Sequence, residues 1–85
     1  MKITSGQIRA ARALLGMSQS ALAQRAVVSV PTIKRCETDS GSAPNVAEPS
    51  RAKVIGALEA AGIEFTNGDA PGVRLVKAKR VRSSR

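Results

Sequence analysis

The chain has 85 residues, with 14 Lys and Arg against 6 Asp and Glu and a net charge of +8. That length sets one domain with a small core, and the charge favours a polyanionic partner: DNA, RNA or an anionic membrane surface. With one Phe and no Tyr or Trp, the chain lacks the stacking platforms of single-strand and RNA readers, whereas a duplex read through its groove needs none.

There is no His, and the only Cys is Cys36. A zinc site needs about four N or S ligands, so no metal or other cofactor is expected. A disulfide framework is excluded as well, which suits a reducing cytoplasm. No run of about 18 apolar residues exists to span a membrane, and the opening MKITSGQ lacks the apolar stretch of a secretory signal. The acids Glu37, Asp39, Glu48, Glu59, Glu64 and Asp69 are scattered without a motif, and no glycine-rich phosphate loop is present. An enzyme is therefore not expected.

Taken in order, Thr4-Ser5-Gly6-Gln7 has the form of a capping box, Thr4 capping and Gln7 reaching back. A first helix follows to about Leu15, with Ile8, Ala11, Arg12 and Leu15 on one face and Leu14 beside it. Gly16 suits the left-handed residue that ends a helix. Ser18 is placed to cap a second helix, whose Leu22, Ala23 and Ala26 form its apolar face. Val27-Val28-Ser29 is a turn. Ser29 repeats the capping signal, and Pro31 falls in the first turn of a third helix over about 30–37, where its missing N–H costs nothing. The Ser29 hydroxyl is therefore expected to take the N–H of Thr32. Ile33 and Cys36 continue the buried face. Cys36 has two readings, a redox switch or a small core hydrophobe, and its inward position favours the second.

Residues 38–50, TDSGSAPNVAEPS, read as a long loop. A fourth helix opens at Pro49 or Ser50 and runs to about Ala61, with Gly62 as its stop. Val54, Ile55, Leu58 and Ala61 form its apolar side, and Gly56 suggests a close helix contact. Ile63-Glu64-Phe65 and Val73-Arg74-Leu75 each alternate in and out around TNGDAPG, which reads as a β-hairpin with a long loop. A lone hairpin is marginal in water, so this one must pack on the helices or on another copy of the chain. Residues 77–85, KAKRVRSSR, are a basic tail expected to be disordered when free. Its cations are either solvated charge or an arm for a DNA groove or its phosphates.

The fold expected is mainly α: a four-helix unit over 1–62, a hairpin over 63–76 as a possible dimerisation element, and the tail. The third helix leaves Val30, Pro31, Thr32, Lys34 and Arg35 pointing away from the core. A short helix with two cations and small side chains outward, braced by a second helix, has the shape of a DNA reading head.

Residues 19–36 resemble the helix-turn-helix of the phage repressor/Cro superfamily of bacterial regulators, the XRE family. Gln19 opens the second helix, Leu22 and Ala26 face the core, Ala23 is small where two helices cross, Val28 plugs the core after the turn, and Ile33 anchors the recognition helix. The first helix with Arg12 also fits, and 50–62 fits as the following packing helix. One position departs. The family usually carries Gly where this chain has Val27, because that residue takes positive φ, a conformation strained for a β-branched side chain. A locally altered turn is expected.

The resemblance implies roles residue by residue. It pairs Arg12 with Glu37 as a structural ion pair, although Arg12 also has the chemistry of a DNA contact. It makes Gln19 a phosphate contact rather than a solvated first-turn residue, with Ser18, Ser29 and Lys34 as further phosphate contacts. Arg35 is the candidate for a bidentate contact to guanine. Val30 and Pro31 can reach bases only by apolar contact, most naturally a thymine methyl, and Thr32 serves base or phosphate. The implied function is a sequence-specific regulator of double-stranded DNA, acting as a homodimer on a pseudo-palindrome. The alternative is an interaction module of the same fold, an antitoxin or anti-activator whose partner is another regulator protein.

Overall fold

The computed structural model describes residues 3–38 and 48–76. Along these residues the elements are α1 (Ser5–Leu15), α2 (Gln19–Ala26), α3 (Val30–Cys36), α4 (Glu48–Ala60), β1 (Ile63–Thr66) and β2 (Gly72–Leu75). The loop expected over 38–50 lies, for residues 39–47, outside the described residues, as does the tail 77–85.

Local chemistry sets the helix starts. The capping box on α1 is complete: the Thr4 hydroxyl accepts from Gln7 N at 3.1 Å, and Gln7 Oε1 accepts from Thr4 N at 2.8 Å. The Ser18 hydroxyl accepts from Ala21 N at 3.0 Å. The Ser29 hydroxyl accepts from Thr32 N at 3.3 Å, one residue beyond Pro31. Gly16 ends α1 in the left-handed region at φ 64°, and the Met17 N–H then donates to the Arg12 carbonyl at 3.0 Å. Helix α4 begins at Glu48, earlier than the expected Pro49 or Ser50. Pro49 is accommodated because the first turn has no intrahelical N–H bond to lose.

The turn between α2 and α3 differs from expectation. It keeps the left-handed geometry, with Val27 at φ 58° and ψ 50°, the one non-glycine at positive φ among the described residues. The Val27 N–H still donates to the Gln24 carbonyl at 3.3 Å and Val28 N to the Ala23 carbonyl at 3.0 Å, so the end of α2 is closed in the usual way. The side chain is 76% exposed. With no neighbour to clash with, Val27 carries only its own backbone strain, and reshaping the turn would sacrifice these bonds.

The core gathers Ile3, Ile8, Ala11, Leu22, Ala23, Ala26, Ile33, Cys36, Val54, Leu58 and Ile63. Each helix contributes its expected stripe, with two exceptions. Leu14, expected beside the buried face of α1, is half exposed. Gly56 makes no close helix contact: a Cβ there would meet nothing within 4 Å. Cys36 is fully buried, and burial pushes its thiol above the ordinary value, against a smaller opposing pull from Arg51. It packs as a hydrophobe.

The hairpin pairs Ile63 with Leu75, Glu64 with Arg74, Phe65 with Val73 and Thr66 with Gly72. Its apolar face lies against the helices, β2 on α1 and β1 on α4. Outside, Arg74 and Glu64 pair at 2.8 Å across the strands. Gln7 fastens the sheet to α1. Its buried amide donates from Nε2 to the Thr66 carbonyl at 2.7 Å and to the Gly72 carbonyl at 3.0 Å. At the opposite end Val76 N donates to the Gly62 carbonyl at 2.7 Å.

Two substitutions test these features. Val27→Gly removes left-handed strain of about 1–2 kcal/mol, offset in part by the greater chain entropy of glycine. The melting temperature should rise by about 4–8 °C for a net gain of roughly 1 kcal/mol, measured by circular dichroism; an unchanged value would show that no strain is stored there. Gln7→Glu sets a carboxylate against two strand carbonyls, and a loss of about 1–3 kcal/mol is expected at neutral pH. A protonated carboxyl can donate to one of them. The gap to the parent chain should therefore narrow as pH falls toward about 4, near the ordinary Glu value, in parallel urea titrations.

Candidate nucleic-acid interface

Helices α2 and α3 meet through Leu22, Ala23 and Ala26 on one side and Ile33 and Cys36 on the other. On a seven-residue helix the two inward residues, three apart, leave the spacing i, i+3, i+4 to the opposite face. Pro31, Lys34 and Arg35 occupy it, and all three are exposed. Val30 is only partly outward, being packed against the core. Thr32 is half-buried, and its hydroxyl shares a 2.9 Å hydrogen bond with that of Ser29. Ser29 thus serves both the backbone and the side chain of Thr32. Ser18 is exposed beside the start of α2, where it caps.

The orientation of α3 is fixed from behind by Glu37. Its carboxylate is 5% exposed and meets Arg12 in a fork, Nε to Oε2 at 2.7 Å and Nη2 to Oε1 at 3.1 Å. The third arm of the guanidinium, Nη1, donates to the Met17 carbonyl at 3.0 Å. Arg12 is therefore occupied in the interior. Gln19 joins the same carboxylate, Nε2 donating to Oε1 at 3.1 Å. One acid thus holds the side chains of α1 and α2 at the end of α3. Among the described residues every buried side-chain N or O has a partner.

Two residues of this brace escaped the sequence reading. Arg9 donates to the Glu37 carbonyl and Ser5 to the Thr38 carbonyl, at 2.9 Å for the latter. These are free carbonyls past the end of α3, which need donors from elsewhere. The signal was the polar row Ser5, Arg9, Arg12 at helical spacing on α1, flanking its apolar face.

The charge around α2 and α3 is one-sided. Residues 18–36 contain three cations and no acid. The side chains of Arg25, Lys34, Arg35 and Lys53 have no ion-pair or hydrogen-bond partner among the described residues, whereas Arg12 and Arg74 are paired with Glu37 and Glu64.

Residues 8–48 match the family model described as helix-turn-helix. They form an XRE-type helix-turn-helix domain. The chain is thus a DNA-binding regulator of the helix-turn-helix type. No curated protein matches the chain. Two further properties of the described residues agree with that assignment. No helix is long and apolar enough to cross a membrane, and no group of three or more His, Cys, Asp or Glu could hold a metal ion.

The brace of the helix-turn-helix is open to test. Glu37→Gln puts an amide N–H₂ against the Arg12 fork and leaves a mostly buried cation without its counter-charge. Breaking such a pair costs about 3 kcal/mol or more, which lowers the melting temperature by roughly 12 °C or more. The double substitution Arg12→Met with Glu37→Met should recover much of that loss, because a packed apolar pair replaces the ions. Simple additivity of the two single losses in denaturation would show that the pair is not coupled.

Proposed function

We propose that the chain regulates transcription as a homodimer, each copy laying α3 in the major groove of one half of a pseudo-palindromic site. The observation that carries this is the outward face of α3: Pro31, Lys34 and Arg35 point together to solvent, no acid lies near them in sequence, and neither cation has a partner among the described residues. Arg35 reads a guanine through two parallel bonds to O6 and N7. Pro31, with Val30 beside it, gives apolar contact to a thymine methyl, and Thr32 takes a base or a phosphate.

The backbone is gripped on either side. Lys34, Ser18, Ser29 and Gln19 lie toward phosphates. One N–H of the Gln19 amide is held by Glu37, which orients the second for an outside acceptor. So few base-reading groups cover only a few base pairs, and useful specificity then calls for two copies about 34 Å apart. Sequence-dependent DNA shape supplies the rest. The hairpin is the proposed dimer surface, since each strand of a two-stranded sheet keeps one unpaired edge.

Selection of bound fragments from random duplex DNA gives the preferred site, and anisotropy titrations at fixed salt then test the assignments. Arg35→Ala should cost about 1–3 kcal/mol and relax preference at one base pair. Gln19→Ala should weaken every duplex alike. Wild-type binding by both variants would refute the site. A chain that binds no duplex at low micromolar concentration would instead be the interaction module, with another regulator as partner.

A further inference from the structure

The positive charge of this chain is divided unevenly between its folded body and its end. Residues 3–38 and 48–76 carry eight Lys and Arg against five Asp and Glu, a balance of +3. Residues 77–85 alone carry Lys77, Lys79, Arg80, Arg82 and Arg85 with no acid, a balance of +5. Most of the excess therefore sits in nine residues that the helix-turn-helix match does not reach.

Where those nine residues begin is fixed. The Val76 N–H donates to the Gly62 carbonyl at 2.7 Å, which pins the exit of β2 beside the end of α4. From that anchor nine residues span at most about 30 Å. Phosphates along one strand are spaced by about 3.4 Å of helix axis, so this length of chain can run past several of them. Its composition is suited to phosphate and not to bases. It has no aromatic to stack and no Asn or Gln to pair with adenine, and its cations alternate with small residues, Val and Ser.

We infer that residues 77–85 form a second DNA contact, specific for the phosphate backbone, which sets the strength and salt dependence of binding while α3 sets the sequence. This rests on the proposed reading of α3 for the sequence-specific part only. The contact itself needs nothing more than a duplex.

The test uses the full-length chain with Lys77, Lys79, Arg80, Arg82 and Arg85 all replaced by Gln, beside the parent chain and Arg35→Ala. Affinity is measured against salt on the selected site and on a scrambled duplex. Neutralising up to five phosphate contacts should make the slope of log K against log salt shallower by as much as about 4.5, on both duplexes alike. Each doubling of salt then weakens the parent up to about twentyfold more than the variant. The ratio of selected to scrambled affinity should be unchanged by the Gln variant and reduced by Arg35→Ala.

A slope within about 1 of the parent overturns the inference, since a single contact accounts for no more than that. A fall in the ratio overturns it differently, by showing that the tail reads bases. If the parent keeps a steep slope but shows no sequence preference, the reading of α3 fails while the tail contact stands. Cosedimentation with phosphatidylglycerol vesicles is the remaining arm. Binding there that the Gln variant loses, with no change in its duplex slope, assigns the tail to an anionic membrane surface instead.

Discussion

Glu37 is the residue on which the presentation of α3 depends. It closes the recognition helix, and nearly every long-range polar contact of the first three helices converges on it: Arg12 and Gln19 at the carboxylate, Arg9 at the carbonyl. A seven-residue helix has too few internal hydrogen bonds to be stable alone. Its outward face points in a defined direction because its far end is held by two other helices. The arrangement also explains why the one acid near the reading face is harmless there. Its charge is neutralised by Arg12 within the interior, so the outer surface of α2 and α3 keeps only its cations.

A similar economy of contacts holds the hairpin. Two strands of four residues have little stability of their own. Ile63 is buried in the helical core, and Gln7, already spent on the capping box through its Oε1 atom, uses its amide hydrogens on the two strand carbonyls at the base of the loop. The N-terminus of α1 and the register of the sheet are thus set by the same side chain. The position of that glutamine is therefore more constrained than its place in a first helical turn suggests.

What the sequence made legible was local. Thr4 with Gln7, Ser18, and Ser29 with Pro31 announce helix starts through side chains acting within three residues, and all appear where their chemistry puts them. The turn at Val27 was legible as a place of strain, but not the way it resolves. That depended on how much the bonds closing α2 are worth against a strained backbone, and on Val27 having open space around it. The second role of Gln7 and the link from Gln19 to Glu37 were hidden because they join residues far apart in the chain. The burial of Leu14 was misjudged for a related reason: it borders the apolar stripe, and which border residue is covered depends on where α4 and the hairpin come to rest. For the interface, the pattern named the outward residues but could not show that Val30 leans into the core or that Ser29 holds the Thr32 hydroxyl.

The pinned base of the hairpin frees what lies above it. In many hairpins the connecting turn dictates how the strands align, but here the rungs from Gly62 to Gly72 are held by the core, by Gln7 and by Val76. Residues 67–71 are exposed and have little alignment left to specify. This makes the connection a natural graft point: an epitope, a fluorophore-bearing cysteine or a longer peptide placed there would be carried outside the cooperative unit, leaving the register below it intact.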